Sequence, residues 1–309
     1  MKIKEARKGY LLALLSVIAV ANVYIFSKAA LTEVSIPQFG LYWFLFGLLW
    51  ILLYAWYKKS YKIFKGLSHK NYRVLLFLGI IEIFSTYYFY KSIQVISNPT
   101  IVSFLGNISP VFMIFLSFFF LKERFSNLEF MGMILVLFGA FVISYKGNLG
   151  FQDMFIHGAQ DVLLYSLFSA VNYVVVKKNI TKIHPILLTI SRCVFLLVFS
   201  FMALLYFKDS FIISETAFIN IFIGSLLGPF LTVIAGYLAL QYITSSSRAI
   251  ISSTRGIFVL LGSYLYFGQF PAAISLVGGA ITIIGVIVIA LGSFRFPKDK
   301  WFKNLETHA

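Results

Sequence analysis

The 309-residue sequence contains a single cysteine, Cys193, and only 12% charged residues. One cysteine excludes an intrachain disulfide and any metal site built from several cysteines. The four histidines are scattered, at positions 69, 157, 184 and 308, and no group of His, Asp and Glu has metal-ligand spacing. A phosphate-binding glycine loop is also missing, so we expect no cofactor and no direct use of ATP. These absences argue against an enzyme.

Apolar residues are abundant instead, at 60% of the chain with a mean hydropathy of +0.90. A soluble domain carries about twice the charged fraction found here. Ten apolar runs are long enough to cross a bilayer as helices. They cover about 9–27, 38–57, 73–93, 99–121, 128–145, 160–177, 184–207, 216–242, 246–267 and 271–293. The sequence therefore predicts an all-α membrane protein with ten transmembrane helices.

The net charge of +15 is unevenly distributed over the two sides of this arrangement. Twenty of the 26 Lys and Arg residues fall at the termini and in the loops on their side. Lys28, Lys91, Lys146 and Lys208 fall on the opposite side. The positive-inside rule makes the basic side cytoplasmic, so both termini are expected inside. The basic excess predicts attraction to the lipid bilayer rather than to nucleic acid. We expect a multi-pass protein of a bacterial inner membrane.

The two halves of the sequence resemble each other. A shift of 146 to 150 residues matches polar, aromatic and glycine positions between them. The matched pairs include Asn22 with Asn172, Tyr90 with Tyr237, Gly132 with Gly278 and Gly139 with Gly285. Each half holds five predicted spans, an odd number, so the second repeat must be inverted relative to the first. We place the repeats at residues 1–148 and 149–309, around a shared interface where such proteins bind substrate.

The stretch NISPVFMIFLSFFFLKERFSNLEFMGMILVLFGAFVIS, residues 107–144, resembles the end of the repeat in EamA-type members of the drug/metabolite transporter superfamily. The resemblance rests on a proline in the fourth span, a Lys-Glu-Arg turn and a glycine-spaced fifth span. The second repeat departs from this pattern, since Gly256 replaces Pro110. An arginine common in the second span of the family is replaced by Phe44 and appears in the second half as Arg192. The resemblance implies a central cavity lined by spans 1, 3, 4, 6, 8 and 9, with alternating access.

Three ionisable residues, Glu82, Arg192 and Arg255, fall deep within apolar runs. A carboxylate at the bilayer centre costs at least about 2.5 kcal/mol, so Glu82 should face a cavity or a partner. It is a candidate for binding a cationic group or carrying a proton, with a structural ion pair to either arginine as the alternative. The planar fork of Arg255 suits a substrate carboxylate. Arg192 is interpreted as a structural or gate charge.

Polar, aromatic and helix-breaking positions complete the candidate site. We expect substrate contacts from the amides Asn22 and Asn172, from Thr86 on the helical face of Glu82, and from the matched pair Tyr90 and Tyr237. Cross-helix packing is the alternative for the two amides. Helix breaks that mark the site or act in gating are predicted at Pro110, Gly228, Pro229 and Gly256.

These features predict a secondary transporter that moves a small-molecule substrate across the membrane. An exporter of amino acids or related metabolites is favoured, and the resemblance alone supplies the direction. Protons are a candidate coupling ion, because Glu82 is ionisable. One alternative is an importer or exchanger of a nucleotide-like or methyl-donor metabolite, and another is a non-transporting membrane scaffold. The residues leave the substrate and the oligomeric state open.

Overall fold

The computed structural model describes residues 3–59, 68–121, 126–145, 155–179, 183–240, 242 and 251–295. These residues are helical, and the only β-type pairing among them is an isolated bridge between Tyr145 and Phe155. The helices are α1 (Ile3–Leu31), α2 (Ile36–Tyr57), α3 (His69–Val95), α4 (Pro99–Leu105), α5 (Ser109–Leu121), α6 (Asn127–Ser144), α7 (Ala159–Asn179), α8 (Pro185–Phe207), α9 (Glu215–Ser225), α10 (Val233–Leu240), α11 (Arg255–Phe267) and α12 (Ala273–Arg295).

Within the described ranges, nine helical stretches are long and apolar enough to cross a membrane. The fourth stretch combines α4 and α5, and the eighth combines α9, the turn that follows it and the first half of α10. The ninth predicted span, 246–267, begins in residues 243–250, which lie outside the described part of the chain. The predicted repeat boundary near residue 148 also lies outside it. The chain is thus an all-helical membrane protein, and α11 occupies most of the described part of the ninth predicted span.

Local sequence signals set several helix starts. Ser35 and Gln38 cap each other at the start of α2, and Ser126 and Glu129 do the same at α6. In each pair the serine hydroxyl accepts a backbone N–H, and the side chain three residues later accepts the N–H of the serine. This arrangement satisfies amide groups that have no partner within the helix.

Three spans are interrupted where the sequence predicts breaks. In the fourth span a 3₁₀ turn at Gly106–Ile108 separates α4 from α5, which carries Pro110 as its second residue. In the eighth span Leu226–Thr232 forms a π-helix around Pro229, which has no N–H to donate. In the ninth span Thr254 forms a turn immediately before α11. The fourth and ninth spans are therefore interrupted at positions that match between the repeats.

Helices α6 and α12 pack with their backbones close together. A Cβ added to Gly132 would lie 2.7 Å from the carbonyl oxygen of Gly285, and one added to Gly139 would lie 2.7 Å from that of Gly278. Along this contact the residue numbers rise on α6 while they fall on α12, so the two helices are antiparallel. Glycine is required here because any side chain would push the backbones apart. The four glycines are scaffold positions.

Helix α3 lies against two helices of the second repeat and positions the candidate site. Its residues Glu82 and Phe89 meet Asn172 and Tyr165 of α7, so α3 and α7 run antiparallel. The contact of Glu82 with Arg192 places α8 on another side of α3. Polar groups from both repeats therefore converge on the middle of α3.

Candidate functional site

The centre of the site is an ion pair between Glu82 on α3 and Arg192 on α8. The Arg192 Nε donates to Glu82 Oε2 at 2.9 Å. The Glu82 side chain is 18% exposed and the Arg192 side chain 33% exposed. The pair therefore borders an open space and is not fully buried in the core. Of the two ion-pair partners considered for Glu82 from sequence, the structure selects Arg192. The two charges neutralise each other within the membrane-spanning region.

Neutral side chains complete the coordination of this ion pair. The amide nitrogen of Asn172 on α7 donates to Glu82 Oε1. The Thr86 hydroxyl donates to Glu82 Oε2 at 3.4 Å and accepts a weak hydrogen bond from Arg192 Nη2 at 3.5 Å. Hydrogen bonding is therefore distributed over both carboxylate oxygens. Four predicted site residues, from three helices and both repeats, are brought together.

Two clefts reach the polar cluster around the ion pair, one lined by Glu82 and Arg192 and the other by Thr86. The larger has about 560 Å³ of empty space, measured to its open mouth, and lies between α3, α7, α8 and the start of α10. The smaller has about 290 Å³ and lies between α2, α3 and α8. Along α3 the larger is lined by residues 75 to 82 and the smaller by residues 83 to 90. Glu82 and Arg192 line the larger cleft and Thr86 the smaller, so the polar cluster separates the two.

Arg255, the first residue of α11, has different surroundings. Its guanidinium carbon lies 5.6 Å from the ring centroid of Tyr24, and a Cβ added to Gly106 would touch both the Tyr165 hydroxyl and Arg255 Nη2. Its Nε is buried and has no hydrogen-bond partner within the described part of the chain. The ring of Phe89 packs edge-on against both tyrosines, at 5.2 and 5.3 Å between centroids. Helices α1, α3, α7 and α11 thus enclose this arginine with aromatic side chains.

Two lysines hold the other end of α3. Lys28 is only 9% exposed, and its ammonium donates to the carbonyl oxygens of Ile93, Gln94 and Ile96 at 2.8 to 3.0 Å. These carbonyls belong to the last turn of α3, where helix carbonyls have no partner within the helix. Lys91 forms an ion pair with the buried Asp161 of α7 at 3.2 Å. The predicted loop charge Lys28 is therefore an internal brace.

Asn22 and Tyr90 make no hydrogen bond to the Glu82 cluster among the described contacts. Asn22 donates to the carbonyl oxygen of Ile18 in its own helix, at 2.9 Å. Tyr90 is buried among Phe39 and Trp43, with ring centroids 4.6 and 5.9 Å away, and also lines the smaller cleft. Tyr237 lies on α10, but its side chain is outside the described part of the structure.

The helix-breaking residues have packing neighbours in other helices. A Cβ on Gly228 would lie 2.9 Å from Val23 Cγ2, and one on Gly256 would collide with the ring of Phe104. Pro229 packs against Gly47 of α2. Gly256 follows Arg255 directly, so its tight packing helps to fix the start of α11. The arginine is held in place by this contact.

Sequence reasoning did not single out Tyr24 and Tyr165, which enclose Arg255, or Asp161, which pairs with Lys91. Aromatic residues make up 18% of the chain, so two more tyrosines carry no signal by type alone. Asp161 is an acid in the first turn of a helix, a position that normally indicates a cap. No group of three His, Cys, Asp or Glu residues in the described ranges is arranged to hold a metal ion.

Comparison with known proteins gives matches of two kinds. A solved crystal structure, described only as that of a protein, superimposes with a TM-score of 0.68 at 12% sequence identity. The match covers 93% of this chain and 98% of that one, and it shows a shared fold. No curated protein matches the sequence. The EamA-like transporter family model matches twice, over residues 7–145 and 158–291, so the chain belongs to the EamA-like transporter family of membrane transporters.

Proposed function

We propose that the chain is a secondary transporter of small polar metabolites, and specifically an exporter of amino acids or related metabolites that works by alternating access. The observation that carries this proposal is the Glu82–Arg192 ion pair at the junction of two clefts. With the N-terminus inside, the larger cleft faces the cytoplasm and the smaller faces outward. A substrate passing between them has to pass this pair.

The polar cluster between the two clefts is built from both repeats, which supports a movement of one repeat against the other. Glu82 and Thr86 belong to the first repeat, whereas Asn172 and Arg192 belong to the second. Rocking of one repeat against the other would separate these groups and open the passage. Any separation exposes two charges, which must then be solvated by water or substrate. A charged or zwitterionic substrate can supply that solvation, which favours polar metabolites over apolar ones.

Antiparallel packing supports the inverted arrangement of the repeats. The matched glycines of α6 and α12 meet crosswise, Gly132 with Gly285 and Gly139 with Gly278, as a twofold axis in the membrane plane would produce. A cysteine at Asn148, in a background where the buried Cys193 is replaced by Ala, tests the orientation. We expect an impermeant thiol reagent to label it from outside intact cells. Labelling from the cytoplasmic side alone would disprove the inverted topology.

Flux measurements test the function itself. Proteoliposomes loaded with amino acids, nucleotides or methylated metabolites should release an amino acid or related metabolite, and Glu82→Gln should strongly reduce that flux. Glu215→Gln, which changes an exposed acid at the start of α9, is the matched control. Flux restricted to a nucleotide or methyl donor would support the alternative substrate class. Folded protein that moves no solute at all would support the scaffold.

Proton coupling has a separate test, because coupling through Glu82 requires its bond to Arg192 to break during the cycle. With an outward-directed substrate gradient, wild-type flux should change with pH while Glu82→Gln flux should not. An identical pH response in both proteins would remove Glu82 from the coupling step and leave exchange or the substrate gradient as the driving force.

A further inference from the structure

No acidic side chain in the described part of the structure forms an ion pair with Arg255. In the described ranges the ion pairs join Arg192 to Glu82 and Lys91 to Asp161, and no carboxylate pairs with Arg255. The neighbouring residues 243–250, outside the described part of the chain, contain another arginine and no Asp or Glu. A buried charge without a partner costs several kcal/mol. The fold therefore bears this cost at Arg255.

Another buried cation shows how this chain satisfies a positive charge without an acid. Lys28 donates to three backbone carbonyl oxygens, which use all three of its N–H bonds. Arg255 has five N–H donors, and its Nε has no acceptor among the residues that the structure describes. Its aromatic neighbour Tyr24 offers the face of a ring, which attracts a cation weakly and accepts no strong hydrogen bond. Unused donor capacity therefore remains at Arg255.

The backbone beside Arg255 leaves room for its neighbours. Gly106 begins the 3₁₀ turn between α4 and α5, and a Cβ at that position would collide with the hydroxyl of Tyr165 and lie 3.6 Å from Arg255 Nη2. The hydroxyl and the guanidinium thus converge on one side of the interrupted span. Both are hydrogen-bond donors, and the guanidinium is permanently positive. The repeat-related breaks in the fourth and ninth spans meet here, where transporters of inverted-repeat design bind substrate.

We infer that Arg255 and Tyr165, with Tyr24 under the guanidinium, form a subsite for a carboxylate group of the transported substrate. The inference rests on the proposed transport function and specifies the substrate class, an organic acid or an amino acid. The planar guanidinium matches a carboxylate through two parallel hydrogen bonds, and the Tyr165 hydroxyl is a third donor. A single cation suits a monoanion better than a phosphate dianion.

The position of this subsite relative to Glu82 adds a constraint. On α3, Glu82 and Phe89 are seven residues apart, which is about 10 Å along the helix. Ser85, between them, donates to the carbonyl oxygen of Tyr165 at 3.5 Å and shares a 2.7 Å hydrogen bond with Ser169. The same face of α3 thus connects the Arg255 subsite to the ion pair. A carboxylate held at Arg255 leaves the rest of the substrate free to extend toward Glu82.

Binding to purified protein in detergent tests the subsite independently of transport. The probes are the common L-amino acids, their carboxamide derivatives, the corresponding deaminated acids and inorganic phosphate, each scored by thermal stabilisation and then by calorimetry. We expect every stabilising probe to carry a carboxylate and its carboxamide to bind at least about 30-fold more weakly. Stabilisation by carboxamides alone, by phosphate alone, or by no carboxylate in the panel would overturn the inference.

Amino-acid substitutions test whether Arg255 and Tyr165 are the residues that bind the carboxylate. Arg255→Gln should weaken binding of a carboxylate probe at least about 30-fold, and Tyr165→Phe about tenfold. Arg73→Gln, at an exposed arginine near the start of α3, should leave binding unchanged. Arg255→Lys, which keeps the charge and loses the fork, guards against misfolding and should give an intermediate affinity. Wild-type affinity in both Arg255 variants would refute the subsite.

The outcomes separate this inference from the proposed function. Flux of a solute that lacks a carboxylate, unaffected by Arg255→Gln, would retain the transporter and remove the subsite. Carboxylate binding that is lost in Arg255→Gln, in a protein that moves no solute, would retain the subsite and remove the transporter.

Discussion

Arg192 and Arg255 are arginines of the second repeat in matching surroundings of apolar sequence, yet the fold treats them differently. Arg192 has a carboxylate at 2.9 Å and a hydroxyl at 3.5 Å. Arg255 has aromatic rings around it, and its Nε has no hydrogen-bond partner in the described ranges. The comparison teaches that depth in the membrane does not determine the role of a charge. A neutralised charge can act in structure or gating, whereas an unbalanced charge is available to bind an anion.

Residues at matched positions of the two repeats also have different surroundings. Lys28 braces the end of α3, whereas its counterpart Lys178 is exposed. Asn22 bonds to its own helix, whereas Asn172 bonds to Glu82. Matched residues of the two repeats therefore make different contacts, and of the two amides only Asn172 joins the polar cluster. Four stability measurements test how far these pairs diverge.

The largest effect is expected from Glu82→Gln, which leaves Arg192 without its carboxylate. Breaking a buried ion pair costs about 3–5 kcal/mol, and because this pair is partly exposed we expect about 2–3 kcal/mol of unfolding free energy. Chemical unfolding in detergent measures it. In a double-mutant cycle with Arg192→Gln the two losses should couple by about 1–3 kcal/mol. Additive losses would mean that the two side chains do not stabilise each other.

Lys28→Met should rank next, with a loss of about 2 kcal/mol, because three carbonyl groups at the end of α3 lose a charged donor. The repeat-related change Lys178→Met provides the control, and at its exposed position it should cost less than about 0.5 kcal/mol. Equal effects at the two lysines would show that the brace contributes nothing. They would also remove the main structural asymmetry between α1 and α7.

The amide pair offers a third comparison, with Asn172→Leu expected to cost about 1 kcal/mol as an interhelical hydrogen bond in a membrane. Asn22→Leu should cost less, since its amide only bonds to the carbonyl of Ile18 within α1. Unfolding of both variants under one set of conditions gives the difference. A larger loss at Asn22 would indicate that this residue has a role which its contact within α1 does not show.

Sequence reasoning identified part of the polar cluster but did not decide which side chains contact each other. Glu82, Arg192 and Arg255 stand out because charges are rare in apolar runs, and that signal is readable residue by residue. The choice between the two arginines as partner of Glu82 is made by the packing of α7 and α8 against α3, which no local pattern encodes. The helix breaks at Pro110 and Pro229 were readable because proline lacks an N–H.

Tyr24 and Tyr165 were not readable for the opposite reason. In a chain that is 18% aromatic, a tyrosine in a cavity and a tyrosine in lipid look alike in sequence. The role of Lys28 was hidden similarly, because a lysine near a span end is normally a loop charge. Both depend on contacts between residues far apart in the chain, such as the 68 positions between Lys28 and Ile96.

Arg255→Gln should change the unfolding free energy of the ligand-free protein least of all, by about 0.5 kcal/mol or less. The variant loses a cation–π contact with Tyr24, worth about 0.5–1 kcal/mol or somewhat more, and buries a polar amide in place of the guanidinium, but it also removes the cost of burying an unbalanced charge, so these contributions nearly cancel. Arg192→Gln, measured alongside, should cost more because it leaves the Glu82 carboxylate unpaired. A loss at Arg255 as large as that at Arg192 would mean that the ligand-free fold already satisfies the Arg255 charge. The reason for assigning it to an anionic substrate would then disappear, since a charge that the protein itself balances needs no ligand.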